Sequence, residues 1–202
     1  EVVGSRPWRL ALGGYLGHMA ELYSYWTWIP AFLAASVIAD AHALTAPASP
    51  AIQVLAFAVI AVGGVGCVWG GLVADRIGRA TLVALALAVS ATCCAGIGFA
   101  FGHSLWVLGP IALVWGFFII ADSAQFSVLV TESVATHAVG TAITLQVSLG
   151  FLLTTATIQG VPVIVRNFGW PWVFAMLSVG PLAGIVSIRR LGFGAEPGRA
   201  PS

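Results

Sequence analysis

Long apolar runs with almost no charge inside them constrain this chain more than any other feature. They extend from about Leu10 to Ala35, Ile52 to Ala74, Ala80 to Phe101, Leu105 to Val130, Ala138 to Val165 and Trp170 to Ile188, each bounded by a loop or by charged residues. A helix of roughly 20 such residues crosses a hydrocarbon core of about 30 Å, and inside lipid only a helix or a closed barrel satisfies its own backbone. Of the 202 residues, 59% are apolar and 7% charged, with a mean hydropathy of +1.01. An ordinary soluble domain carries roughly 25% charged residues. The sequence therefore predicts an all-α integral membrane protein with six transmembrane helices, and it excludes a soluble enzyme.

The expected organisation is a cytoplasmic linker over 1–9, a six-helix bundle over 10–190 and a Gly- and Pro-rich, disordered cytoplasmic tail over 191–202. The turn Asp75-Arg76-Ile77-Gly78-Arg79 is so short that the second and third spans must be antiparallel neighbours. Pro181 lies inside the sixth span and is expected to kink it. Positive residues near span ends stay cytoplasmic. Arg6, Arg9, Arg76, Arg79, Arg189, Arg190 and Arg199 fall on one side and Arg166 alone on the other, so both termini are expected in the cytoplasm. Trp8, Trp106, Trp170 and Trp172 sit at span ends, where an amphipathic ring favours the headgroup layer.

All eight cations are Arg and the net charge is +1, so the chain offers no basic patch for nucleic acid. Cys67, Cys93 and Cys94 are odd in number and lie within apolar spans, which fits small core residues rather than a disulfide framework or a metal site. No cofactor and no metal are expected.

The polar residues inside the spans are the functional candidates. On the first span Gly14, His18, Glu21 and Tyr25 share one helical face, with Tyr15, Leu22 and Trp26 beside it. An ionised carboxylate near midbilayer costs about 2.5 to 3.5 kcal/mol even on the lenient insertion scale, so Glu21 is expected to face inward as a functional group. Such a carboxyl can hold a proton and release it when a cavity opens to water; the alternative is a neutral Glu21 bonded to His18 as interhelical glue. The fourth span repeats the pattern with Trp115, Phe118, Asp122 and Gln125 on one face and Glu132 nearer the cytoplasmic end. The fifth span carries Thr141, Thr144, Ser148, Thr155 and Gln159 close to one stripe, with Gln146 off it, suited either to a water-filled path or to helix–helix hydrogen bonds. His18, Glu21, Tyr25, Asp122 and Gln125 are expected to line the concave face of the bundle, partly open. On the second span Gly66 and Gly70 form a small-xxx-small face for close helix packing.

Gly71-Leu72-Val73-Ala74-Asp75-Arg76-Ile77-Gly78-Arg79 matches G-x-x-x-D-R-x-G-R and resembles the signature loop of the major facilitator superfamily. The resemblance covers essentially residues 8 to 190 and implies one six-helix half of a carrier, made of two inverted three-helix repeats. Gly14 to Leu33 resembles the seventh helix of bacterial permeases of that superfamily, some assigned to cyanate-like anions, and Ala121 to Leu153 is similar to their tenth and eleventh. With a start at Glu1 and a cytoplasmic N-terminus where an inter-half linker would enter, this reads as a C-terminal half. The family further implies a multi-pass protein of the plasma membrane, the inner membrane in bacteria. It also implies a cytoplasmic gating motif of Gly71, Asp75, Arg76, Gly78 and Arg79, with Glu132 as the carboxylate that the loop arginines meet. Asp75 would sit against a helix N-terminus of the other half.

The leading expectation is thus half of a secondary transporter that moves a small solute by alternating access, coupled to protons. Its partners are the bilayer, the solute, a proton, and either the N-terminal six-helix half or a second copy. The substrate and proton pathway is expected among Tyr15, His18, Glu21, Tyr25, Trp26, Trp115, Asp122, Gln125 and Gln146. A standalone six-helix subunit that dimerises into a carrier is the alternative. An intramembrane enzyme is disfavoured, because there is no G-x-S-x-G and His18 is the only histidine well inside a span.

Overall fold

The computed structural model describes residues 1–192 and is all-helical over them. The helices are α1 (Arg6–Val37), α2 (Pro50–Ile77), α3 (Arg79–Gly96), α4 (Leu105–Ala121), α5 (Ser123–Thr131), α6 (Val139–Phe168), α7 (Trp170–Leu177) and α8 (Val179–Gly192). Short 3-10 turns at Val2–Gly4, Ile97–Ala100 and Thr136–Ala138 precede or extend them. Consecutive helices join into longer rods: α3 with its 3-10 turn, α4 with α5, and α7 with α8. Five segments are long and apolar enough to cross a membrane, at Pro50–Ile77, Arg79–Ala100, Leu105–Thr131, Thr136–Phe168 and Trp170–Gly192. The chain is accordingly a multi-pass helical membrane protein. The first span is long enough at 32 residues, but His18, Glu21 and its tyrosines dilute its apolarity. It is enclosed by α8, α6, α4, α5, α2 and α7 instead of standing at the rim.

Boundaries shift where caps dictate them. Ser5 accepts from the Trp8 amide and α1 starts at Arg6, so the first turn lies inside what the sequence assigns to a linker. The anticipated kink at Pro181 appears three residues earlier, at Ser178 between α7 and α8, since a proline disturbs the turn before it. A second break, at Asp122 between α4 and α5, is not at a proline. The tail beyond Gly192 lies outside the described residues.

The packing partners form a closed set. Number the six rods in chain order. The first packs on the sixth as the fourth packs on the third, and the second packs on the fourth as the fifth packs on the first. The second meets the third as the fifth meets the sixth, and the first meets the second as the fourth meets the fifth. The third and sixth meet each other, as do the first and fourth. Exchanging rods one, two and three with four, five and six therefore maps the pattern onto itself.

Glycines set the closest approaches. A Cβ on Gly66 or Gly70 of α2 would strike the backbone carbonyl of Phe117 or Ala121, and one on Gly17 would strike the Gly180 carbonyl of α8. The Gly66–Gly70 face is thus a seat for α4–α5. Of the tryptophans expected at the headgroup layer, Trp106 and Trp172 do point outward, at 90% and 56% exposure. Trp8 and Trp170 are buried and instead tie their helix starts to α6 and to the α1–α2 loop, donating to the carbonyls of Ala142 (3.3 Å) and Ala43 (2.7 Å). Of the cysteines, Cys94 is buried and donates to the Phe174 carbonyl at 2.9 Å.

Candidate functional site

At 100° per residue, His18, Glu21 and Tyr25 stack along one face of α1 and all three are buried. Glu21 Oε1 accepts two hydrogen bonds, from Ser90 Oγ of α3 at 2.6 Å and from Trp115 Nε1 of α4 at 2.7 Å. Its other oxygen, Oε2, is buried without a hydrogen-bond partner among the described residues. Aromatic rings close the chamber: Tyr25 lies over Trp115 at a centroid distance of 4.0 Å, Phe174 meets Trp115 edge-on at 5.0 Å, and the Tyr25 hydroxyl donates to the Ala112 carbonyl at 2.6 Å.

One turn away lies a second cluster. His18 Nδ1 is 3.0 Å from Asp122 Oδ1, a close approach that lacks the alignment of a hydrogen bond, while its Nε2 is 3.0 Å from Ser123 Oγ. Asp122 occupies the residue at which α4 stops and α5 begins, so the helix break delivers the carboxylate to α1. Phe126 packs against both His18 (5.1 Å) and Tyr15 (5.7 Å). Two acids and a histidine from the first and fourth rods therefore meet inside the bundle, with hydroxyls and an indole as their partners.

This corrects the expected open groove. His18, Glu21, Tyr25, Asp122 and Gln125 are wedged between helices, and none of them lines the open cavity of about 1060 Å³ near Arg79. The reason is local: Ser90 and Trp115 supply, within the bundle, the donors that water in a groove would otherwise supply. Of the other candidates, Tyr15 is half-buried, Gln146 is buried, and Trp26 stacks edge-on against Tyr23; Gln146 Oε1 and Trp26 Nε1 have no partner among the described residues. The sequence reading missed Ser90 and Ser123. A lone serine in an apolar span gives no signal, because serine is common wherever transmembrane helices pack closely. The hydroxyl stripe of α6 lies on its exposed side. Thr141, Thr144, Ser148, Thr155 and Gln159 all face out of the bundle, and among the described residues no other helix covers them.

At the arginine-bearing end, α2 and α3 turn through Gly78 at φ +88°, a region that disfavours any residue with a Cβ. Arg79 Nη1 stands 3.8 Å from Glu132 Oε1, as the loop pattern leads one to expect. Asp75 and Arg76 are exposed, and a Cβ on Gly71 would meet open space. A cavity of about 1060 Å³ opens here, lined by the start of α1, the α2–α3 turn and the ends of α5 and α8. Comparison with protein-family models, with curated proteins and with solved structures finds no match to this chain.

Proposed function

We propose that the chain is a six-helix half of a secondary transporter of the major facilitator type, which moves a small solute by alternating access and couples it to protons through Glu21 and Asp122. One observation carries this reading. The helix packing maps onto itself when the first three rods are exchanged with the last three, and the two interior acids lie on the first and fourth rods, which exchange with each other. Rods three apart in an up-and-down chain run in opposite directions, so the exchange relates two inverted repeats, an organisation common in carriers whose coupling sites lie between repeats. Glu21 fits a proton carrier because one oxygen is held by two donors while Oε2 is left for a proton. The G-x-x-x-D-R-x-G-R turn with Arg79 beside Glu132 supports the same assignment, as does the outward hydroxyl stripe of α6, which a second bundle would cover. That bundle is the N-terminal half; a second copy of this chain is the alternative, favoured if the purified protein has the mass of a dimer.

Proteoliposomes loaded with a pH-reporting dye test the reading. The protein, alone and co-reconstituted with a complementary half, is offered a panel of small solutes that includes cyanate, organic anions, sugars and amino acids. At least one should drive proton movement, which Glu21→Gln and Asp122→Asn abolish while solute counterflow survives. A neutral amide mimics the protonated carboxyl, so the carrier still cycles but releases no proton. Undiminished proton movement in both variants removes these residues as the coupling site, and no flux of any solute overturns the transport reading.

A further inference from the structure

We infer that the cavity at the arginine-bearing end is a binding site for a phosphate group, and that its occupant is the headgroup of an anionic phospholipid. Arg6 of α1, Arg79 at the start of α3 and Arg190 of α8 line it, with Glu132 as the one carboxylate. Three cations from three elements converge on one space, and Glu132 already has Arg79 beside it, leaving Arg6 and Arg190 with no carboxylate within 4.0 Å among the described residues. The Nε of Arg79 is buried and has no hydrogen-bond partner among the described residues.

The backbone adds donors. Arg79, Ala80 and Thr81 form part of the wall as the first turn of an 18-residue helix; its cap residue, Gly78, has no side chain to satisfy their free amides, and its own amide is taken by the Ala74 carbonyl. Amides at such a helix start favour an anion. Planar guanidinium groups bind phosphate oxygens in pairs. Pro7, Leu10, Leu129 and Leu191 supply an apolar flank. Polar and apolar walls together, at the rim of a bundle of apolar helices, match a group that is charged at one end and acyl at the other. Basic pockets between transmembrane helices take up such headgroups in general. The inference rests on the chain's place in a membrane and not on the transport reading.

Native mass spectrometry of the full chain in detergent tests it, with phosphatidylglycerol, phosphatidylcholine and millimolar inorganic phosphate as probes. The expected result is retention of phosphatidylglycerol in preference to phosphatidylcholine. That preference should fall about thirtyfold in the Arg6→Gln/Arg190→Gln pair, at roughly one arginine's surface attraction each, and stay intact in Arg166→Gln at the other end of the bundle. Both variants must elute as the wild type does, which separates lost binding from lost folding. Inorganic phosphate that binds and displaces the lipid at the same arginines would assign the site to free phosphate and overturn the lipid as occupant. Equal retention of the two lipids, or a preference indifferent to the arginine pair, overturns the site altogether.

Discussion

Glu21 shows how one buried side chain can be held by geometry that its own span does not supply. Ser90 and Trp115 come from other helices, and both donate to the same carboxylate oxygen. Glu21→Gln keeps an acceptor in that position, whereas Glu21→Ala removes it, empties the chamber and leaves the Trp115 indole with only Ser90 Oγ at 3.2 Å. Cavity formation plus a weakened buried donor costs about 2 to 4 kcal/mol, while the amide should stay within about 1 kcal/mol of wild type. Thermal unfolding in detergent, followed by circular dichroism, measures the two; equal losses would mean that the acceptor at this position adds nothing to stability. The acid itself was legible in the sequence, because a carboxylate amid apolar residues demands partners. Which partners, and that they would enclose it, was not, since Ser90 looks like any packing serine.

At the level of elements, glycine placement decides where helices touch. On α2, Gly70 faces the Ala121 carbonyl at the α4–α5 junction, whereas the next residue, Gly71, faces open space. Gly70→Ala must push the two rods apart and is expected to cost about 1 to 3 kcal/mol, the range of overpacked cores. Gly71→Ala is expected to be neutral or to stabilise by up to about 1 kcal/mol through helix propensity. Unfolding midpoints of both variants check the contrast, and a Gly70→Ala protein as stable as Gly71→Ala would show that α2 is not seated there. The spans were readable because hydropathy reports them directly. Their breaks were less so: Pro181 displaced its kink to Ser178, and Asp122, without a proline, ends α4 at a position no local rule marked.

For the whole molecule, the outer faces differ by helix. The exposed side of α2 is apolar, with Val54, Phe57, Val65, Val68 and Leu72, whereas α6 exposes its hydroxyl stripe beside Phe151, Leu152 and Val163. In proteoliposomes, with the native cysteines replaced, Ser148→Cys is expected to react readily with a water-soluble maleimide and Val68→Cys to resist it. Silence at both positions would place the α6 stripe against lipid. The sequence made the two faces visible as composition, yet the exchange symmetry of the packing left no residue-level repeat to read, because matching rods use different side chains to reach the same neighbours. Glu21 on one rod and Asp122 on its counterpart are the nearest thing to a trace. The Trp115 contact has one more consequence, an optical one. An indole that donates to a carboxylate changes its emission when the charge beside it changes, so the protein carries a built-in fluorophore at one of its two enclosed acids. Subtracting the spectrum of Trp115→Phe isolates that one emitter from the other seven tryptophans, and the protonation of Glu21 can then be watched as a shift in colour, without any label.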